Sequence, residues 1–258
     1  MREAALLTPS ASLAALSRDY LELSKARIVL MVLITTAAGY LVGAPRISPL
    51  LLFNTLLGTA LVYSAAIAVA GTLWLGLSVN WLTAGLGGLT LTSYIFIYTP
   101  LKRVSTLCTI VGAVPGAIPP LMGWTAATGS ISAGGWVLFA ILFFWQLPHF
   151  MAISWIYRED YGRAGFSILS VRDSDGAATA RAAVLYSLAL LGVSVLPALL
   201  GLAGVAYVIG AVVAGFVLLG ASIAFFFERS NRTARRLFMI SNLYLMTVMV
   251  LLVVSARA

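Results

Sequence analysis

Long apolar runs separated by short polar connections dominate the pattern of hydrophobic and polar positions along the 258 residues. Runs of roughly twenty apolar residues have the length that an α-helix needs to cross a bilayer. The pattern predicts membrane-crossing segments over 28–44, 49–78, 82–99, 108–127, 134–157, 182–200, 203–227 and 237–255. Because the pattern lacks the short alternating strands typical of membrane barrels, we predict an all-α, polytopic transmembrane bundle that forms one domain over residues 1–258.

The segment 49–78 is too long for one ordinary span. As a single helix it would extend about 45 Å, whereas the hydrocarbon core of a bilayer is about 30 Å thick. One span would place Lys102 on the side opposite the basic N-terminus, and two spans would restore a consistent order, although no polar turn joins them. We therefore expect a structural anomaly near Ala65 and Ala66, either a break in the chain or a kinked, over-long helix.

Composition agrees with a membrane protein, because 61% of the residues are hydrophobic and 9% are charged, against about a quarter charged in soluble domains. Cys108 is the only cysteine, which excludes an internal disulfide and predicts a small buried side chain. Residues 1–27 mix charged residues with apolar ones at near-helical spacing. We predict that this cytoplasmic segment lies on the membrane surface before the first span.

Basic residues collect in alternate connections between the predicted spans. Lys102 and Arg103 follow the third span, and further arginines populate the connections 158–181 and 228–236, whereas the intervening connections carry one basic residue, Arg46. The positive-inside rule places the basic connections and the N-terminus in the cytoplasm. We expect a multi-pass protein of the cell inner membrane that contacts the lipid bilayer and has no nucleic-acid partner.

Half of the eight carboxylates lie in the single connection 158–181, namely Glu159, Asp160, Asp173 and Asp175. One interpretation is a solvated loop whose acids offset its own arginines. The other is a cation site at the membrane surface, because clustered carboxylates suit Mg²⁺ and neighbouring arginines suit phosphate groups. A polar site of this kind above an apolar bundle would suit a lipid diphosphate.

Three stretches of sequence carry a resemblance to a known family. They read LSKARIVLMVLITTAAGY (23–40), YTPLKRVSTLCTIVGAVPGAIPPLMGWTAATG (98–129) and FWQLPHFMAISWIYREDYGRAGFSILSV (144–171). Taken in order, they closely resemble the UbiA-type intramembrane prenyltransferases, in the branch of the protoheme IX farnesyltransferases, also called heme O synthases. The resemblance implies a bundle of nine transmembrane helices around a central cavity, capped by cytoplasmic loops.

The same resemblance implies an activity. Members of this branch transfer the farnesyl group of farnesyl diphosphate to a vinyl group of protoheme IX, which gives heme O, so heme is a substrate rather than a cofactor. Mg²⁺ bridges the diphosphate in this family. The resemblance also implies heme A synthase or the assembly of terminal oxidases as partners.

The second Asp-rich loop of the family matches the charged end of the third stretch. The match implies Asp160 as the Mg²⁺ ligand and as a catalytic residue. It implies that neighbouring side chains of the same loop bind the substrate: Tyr157, Arg158, Tyr161 and Arg163.

The family's YTPLKR loop matches residues 98–103. The match implies that Lys102 and Arg103 act as catalytic residues and that Tyr98 contacts the substrate. Two cations at this place would pair with diphosphate oxygens, where negative charge builds as the allylic C–O bond breaks. The alternative is that the two residues only set the membrane topology, as the positive-inside rule requires.

His149 is the only histidine and lies in the family's WQ-x-PHF segment. An ionisable group inside a membrane is a functional candidate, and imidazole ligates heme iron, so one hypothesis is a contact with the iron or the porphyrin. The other is a polar residue that is satisfied within the bundle. Trp124, Trp136 and Trp155 lie near the ends of predicted spans and are expected in interfacial aromatic belts.

The sequence departs from the family pattern in two places. Ser167 and Ser170 stand where the family has prolines. The first Asp-rich motif of the family, Asn-x-x-Asp-x-x-x-Asp, has no counterpart in LVYSAAIAVAGTLWL (61–75), the place where it is expected. A degenerate, non-catalytic member that binds heme or a prenyl lipid is therefore an alternative to prenyl transfer, and a small transporter with proline-broken helices is a third hypothesis.

Overall fold

The computed structural model describes residues 26–63 and 68–256, and helices are the only regular secondary structure within them. We number the helices of ten residues or more in chain order: α1 (Ala26–Gly43), α2 (Pro49–Tyr63), α3 (Ala68–Ser78), α4 (Trp81–Thr92), α5 (Cys108–Thr128), α6 (Ala133–Ile156), α7 (Ala177–Val193), α8 (Val205–Glu228) and α9 (Asn231–Ser255). The predicted all-α class is confirmed. The interfacial segment predicted before the first span falls almost entirely on residues 1–25, which lie outside the described residues.

Five shorter helical segments complete the described chain. They are the π-helical turn Ser93–Tyr98 and the single turn Thr99–Leu101, which continue α4; Arg158–Arg163 and Leu169–Arg172, which lie between α6 and α7; and Leu196–Leu199, which follows α7. The π-helical turn places Tyr98 just before the basic connection at Lys102.

Five of the helical segments are long and apolar enough to cross a membrane. They are Cys108–Thr128, Ala133–Ile156, Ala177–Leu199, Val205–Glu228 and Asn231–Ser255. Large apolar side chains such as Phe216 and Leu243 are 59% and 66% exposed. Exposed apolar surface of this kind is favourable in contact with lipid and unfavourable in contact with water. The polytopic membrane character predicted from the hydrophobic pattern is confirmed.

The segment 49–78 forms two helices, so the expectation of one kinked, over-long helix was wrong. Helices α2 and α3 run antiparallel and pack backbone against backbone: a Cβ atom built on Gly71 would lie 2.5 Å from the amide nitrogen of Val62. The joint that we expected near Ala65 and Ala66 lies outside the described residues. The reversal restores the alternating order of the connections, as the two-span interpretation required.

Hydrogen bonds join the basic connections at one end of the bundle, which we call the charged end (residues 102–107, 157–176 and 229–236). The amide of Ser167 donates to the carbonyl of Lys102 at 2.9 Å, and Arg158 donates to Asn231 at 3.0 Å. At the opposite end, the amide of Gly204 donates to the hydroxyl of Ser255 at 2.6 Å. The positive-inside pattern of the sequence therefore corresponds to one physical face of the fold.

Two helices begin earlier than the hydrophobic pattern predicts. In both cases side-chain hydrogen bonds start the helix within the polar connection. Helix α9 begins at Asn231 rather than at 237, since Ser230 and Thr233 form a reciprocal capping box at its start. Helix α7 begins at Ala177, since the carboxylate of Asp173 accepts from the amide and the hydroxyl of Thr179, both at 2.7 Å. Much of each predicted basic connection is thus helical.

Helices α1 and α5 approach each other at two glycines. A Cβ atom on Gly39 would lie 2.0 Å from the carbonyl oxygen of Pro120, and one on Gly123 would lie 1.9 Å from the carbonyl oxygen of Thr36. Small residues at such crossings let helix backbones pack in membranes, where lipid supplies no hydrophobic drive between helices. This contact fixes α1 against the proline-containing half of α5.

We expect Gly123→Ala to destabilise the protein by about 1–3 kcal/mol, because the added methyl group meets rigid backbone that cannot move aside. Thermal unfolding of the purified protein in a neutral detergent measures the effect. Gly220→Ala is the matched control, since nothing lies within 4 Å of a Cβ atom at that helical glycine. Equal melting temperatures for the two variants would contradict the close backbone contact between α1 and α5 at Gly123.

Candidate active site

Lys102 lies at the charged end with its ammonium group between two aromatic rings. The nitrogen is 5.0 Å from the centre of the Phe166 ring and 5.7 Å from that of Tyr98. Such distances permit cation–π attraction, which holds the charge in place without neutralising it. Among the described residues, no carboxylate lies within ion-pair distance of Lys102 or of Arg103. Both cations are therefore available to an anion.

Ser167 ties the connection at Lys102 to the loop that follows α6. Its amide donates to the carbonyl of Lys102 at 2.9 Å, and its hydroxyl donates to the carbonyl of Arg103 at 3.0 Å. Arg172 in turn donates to the same hydroxyl at 3.0 Å. A proline, which the family resemblance implies at this position, could not donate the amide bond. The departure noted in the sequence thus supplies a specific link between the two predicted halves of the site.

Asp160 and Arg163 form an ion pair at 2.5 Å within the short helix Arg158–Arg163. Both side chains are more than half exposed, at 63% and 76%, so water screens their attraction strongly. The carboxylate therefore remains accessible to a cation. Tyr161 packs against Phe166 with ring centres 5.9 Å apart. Burial raises the pKa of Tyr161 above its usual value, so its hydroxyl stays neutral.

Arg158 is held on the side of the loop that faces α9. Its guanidinium lies 4.3 Å from the ring centre of Trp155, donates to the carbonyl of Trp155 at 2.9 Å and donates to Asn231 at 3.0 Å. Trp155 is buried beneath it, as is Trp124 elsewhere in the bundle, so the interfacial position predicted for these two residues was wrong. Trp136 is exposed, as an interfacial position requires.

Two further carboxylates of the loop, Asp173 and Asp175, are occupied by structural contacts. Asp173 accepts the two bonds from Thr179, and Asp175 accepts from the amide of Ala177 at 3.2 Å and from Arg229 at 3.3 Å. The bond from Ala177 holds the pKa of Asp175 below its usual range. Within the described part of the chain, no three His, Cys, Asp or Glu residues come together as a metal site would require. The described carboxylates therefore supply only part of a Mg²⁺ site, and water and substrate phosphates would have to complete it.

His149 lies deeper in the bundle, away from Lys102 and Asp160. Its Nδ1 is 2.9 Å from the hydroxyl oxygen of Ser241 in α9, and its ring contacts those of Trp145 and Phe238 with centres 4.9 and 4.7 Å apart. Among the described residues, Nε2 has no hydrogen-bond partner. One nitrogen of the imidazole is thus satisfied inside the bundle and the other is left for a further contact.

The two neighbours of His149 in the same segment also bind across the bundle. The indole of Trp145 donates to the carbonyl of Ser241 at 2.5 Å, and the amide of Gln146 donates to the carbonyl of Ala113 at 2.7 Å. Side chains of α6 therefore connect to α9 on one side and to α5 on the other. The WQ-x-PHF segment acts in this structure as a polar clamp at the centre of the fold.

Comparison with known proteins identifies the family. The sequence profile of the UbiA prenyltransferase family matches residues 57–246. The chain belongs to the UbiA prenyltransferase family. Members of the UbiA family generally use a metal ion that bridges the diphosphate of their substrate.

Relatives within the UbiA family cover most of the chain. A protoheme IX farnesyltransferase of Solibacter usitatus is 40% identical, with 88% of this chain and 95% of the relative aligned. Another of Koribacter versatilis is 36% identical, with 93% and 94% aligned. A solved digeranylgeranylglyceryl phosphate synthase superposes with a TM-score of 0.78 at 15% identity, covering 93% of this chain and 98% of the other. The last comparison shows the UbiA-type fold.

The alignments with these relatives contain positions that have no counterpart in this chain. The alignment with the Solibacter protein runs over 277 positions, although 88% of this chain is about 227 residues, which leaves about 50 positions without a counterpart. The Koribacter alignment runs over 290 positions with 93% of this chain, about 240 residues, and leaves the same excess. The sequence of this UbiA-family chain also has no counterpart of the family's first Asp-rich motif.

The structure brings together one part of the predicted site and separates another. Tyr98, Lys102 and Arg103 meet the loop of Asp160 and Tyr161 at the charged end. Tyr157 is exposed beside them, whereas Arg158 turns toward α9 and His149 lies inside the bundle. The sequence analysis missed the link made by Ser167 and the supporting rings of Phe166 and Trp155. The only signal for Ser167 was its departure from the family's proline.

We expect cysteines placed at Arg103 and Asp160 to react from the same side of a sealed membrane, because Ser167 bonds join their loops. An impermeant maleimide applied to vesicles of each orientation makes the measurement. The background is Cys108→Ala, which removes the buried native thiol. A cysteine at Ser130, exposed at the opposite end of α5, is the control and should react from the other side. Labelling of positions 103 and 160 from opposite sides would rule out a common site.

Proposed function

We propose that this UbiA-family protein transfers the farnesyl group of farnesyl diphosphate to a vinyl group of protoheme IX, giving heme O. The observation that carries the proposal is the 40% identity to a protoheme IX farnesyltransferase over 95% of that relative. The geometry of the charged end supports it: Lys102 and Arg103, which have no ion-pair partner among the described residues, lie in a connection that is hydrogen-bonded through Ser167 to the loop of the exposed Asp160. An allylic diphosphate has this combination of an anionic head and an apolar tail.

Lys102 and Arg103 are the residues to which we assign stabilisation of the leaving group. As the allylic C–O bond breaks, its electron pair leaves with the diphosphate, and the vinyl π-electrons form the new C–C bond. Water then adds to the cation left beside the porphyrin and loses a proton, which gives the hydroxyethylfarnesyl chain. Cations fixed before the reaction stabilise the growing negative charge of the diphosphate without reorganising. Tyr98 and Phe166 hold Lys102 in that position.

Asp160 is the residue that we assign to metal ligation, with Mg²⁺ as the ion. Mg²⁺ is commonly bound through one or two carboxylates together with water and substrate phosphates. Two carboxylates of the loop, Glu159 and Asp160, are exposed, while Asp173 and Asp175 are bound elsewhere. We choose Asp160 because it is the one that matches the family motif. We assign Tyr157, Tyr161 and Arg163 to the wall of the same site, and Arg158 to its edge, where the guanidinium donates to Asn231 of α9.

His149 is our candidate for a contact with the porphyrin or its iron through Nε2. A hydrogen bond to one imidazole nitrogen fixes which nitrogen remains for another partner, and here Ser241 binds Nδ1. We also propose a position in the cell inner membrane with a cytoplasmic N-terminus, in agreement with the basic charged end. Heme A synthase or the assembly of terminal oxidases would use the product, and either is a proposed partner.

Neither alternative hypothesis gains support from the comparisons. The relatives are named as farnesyltransferases, and none of these names refers to transport or to binding without turnover. Incubation of the purified chain with farnesyl diphosphate, protoheme IX and Mg²⁺, followed by mass spectrometry, tests the proposal. We expect heme O to form, and to form much more slowly with Lys102→Gln/Arg103→Gln. A shift in heme absorbance without product would favour the non-catalytic alternative.

We expect Asp160→Ala to weaken binding of farnesyl diphosphate in the presence of Mg²⁺ by about tenfold or more, as the loss of a charged ligand predicts. Equilibrium binding of the labelled diphosphate measures the change. Glu159→Gln is the matched control, since it removes the neighbouring exposed charge without touching the proposed ligand. Unchanged affinity in Asp160→Ala, or an equal loss in both variants, would contradict the assignment.

A further inference from the structure

Three arginines cluster on one face at the start of α9, outside the candidate active site. Arg232, Arg235 and Arg236 are all exposed and, with Asn231 and Met239, line a surface cavity of about 440 Å³. Their spacing of three and four residues places them on one side of the helix. Among the described residues, none of the three has a hydrogen-bond or ion-pair partner. The cluster therefore presents an uncompensated positive charge.

The helix itself adds to this positive potential. The first turn of α9 contains no acidic residue, and its end carries the partial positive charge of the helix dipole. The nearest acid along the chain, Glu228, accepts a bond from Ser230 instead. Three like charges on one helix face repel each other, and binding of an anion would relieve this repulsion. The positive-inside rule accounts for basic residues in the connection, but it does not require them to share one face.

The apolar surface that continues from the arginines indicates what kind of anion fits. The outward face of α9 runs on through Met239, Leu243, Val250 and Val254, whose side chains are 60–66% exposed. The opposite face, including Leu237, is buried in the bundle. A cationic cluster at the membrane surface, followed along the helix by an apolar stripe, matches a phospholipid with an anionic head and acyl chains.

We propose that the cluster of Arg232, Arg235 and Arg236 binds the headgroup of an anionic phospholipid whose acyl chains lie along Met239 and Leu243. The lipid would stand next to the candidate active site, because Asn231 in the same cavity holds Arg158 at 3.0 Å. Phosphate is the chemistry that arginine recognises with paired donors. A free phosphate would satisfy the arginines equally, but it would leave the apolar stripe without a role.

Native mass spectrometry of the full chain in a neutral detergent tests the proposal with two lipids of matched chains, phosphatidylglycerol and phosphatidylcholine. We expect one molecule of phosphatidylglycerol to bind at least tenfold more tightly than phosphatidylcholine. Since each arginine contributes roughly a fivefold preference for anionic lipid, Arg232→Gln/Arg236→Gln should remove most of this preference. Arg46→Gln/Arg181→Gln is the matched control, because it removes the same charge from two other exposed arginines.

Three results would overturn the proposal: equal binding of the two lipids by the unmodified chain, an equal loss of preference in both double variants, or displacement of phosphatidylglycerol by inorganic phosphate at the same concentration. The last would identify a site for a free anion. If Arg232→Gln/Arg236→Gln does not fold, Arg232→Lys/Arg236→Lys keeps the charge and should keep most of the preference. The comparison of the two lipids on the unmodified chain needs no variant.

Discussion

The polar clamp on α6 is the interaction on which the geometry of this protein depends. Gln146 binds the backbone of α5, and Trp145 and His149 bind α9, so one segment fixes three helices relative to one another. Helix α6 ends directly before the loop of Asp160, and α5 begins directly after the connection of Lys102. The clamp therefore sets the distance between the two halves of the site. Side-chain bonds between helices carry this role in a membrane because lipid provides no hydrophobic drive for association.

The proline-containing helix α5 explains why the clamp is needed. Pro115, Pro119 and Pro120 lie inside the helix and cannot donate backbone bonds, so α5 is held less firmly by its own hydrogen bonds than its neighbours are. Packing compensates for this, since α1 meets α5 at Gly39 and Gly123 with backbones in contact. The side of α5 that faces α6 receives the bond from Gln146. Irregular helix is tolerated at membrane depth only where protein surrounds it, and most of α5 is buried.

Most of the fold could be predicted from the sequence, because a membrane leaves helices as the natural way to satisfy backbone groups and twenty apolar residues mark each span. The boundaries were predicted less well where a helix includes charged residues at its end. The apolar run of the last span begins only after Arg236, whereas the capping box at Ser230 starts helix α9 at Asn231. The candidate site was predicted from motif resemblance, and the roles of Lys102 and Asp160 remain predictions. The bonds of Ser167 and the turn of Arg158 toward Asn231 depend on tertiary contacts that no local pattern contains.

Helices α2 and α3 are short within the described residues. Their 15 and 11 residues extend about 22 Å and 16 Å, less than the hydrocarbon core of about 30 Å. Within the described residues, α2 ends at Tyr63 and α3 begins at Ala68, on either side of positions 64–67. Lengthening each to about twenty residues would use roughly 14 residues. If the roughly 50 aligned positions without a counterpart in this chain formed one segment here, they would leave a connection of more than thirty residues. Such a connection would emerge at the charged end, beside Lys102 and Asp160. The missing Asp-rich motif and the two short helices are therefore consistent with one and the same difference between this chain and its relatives.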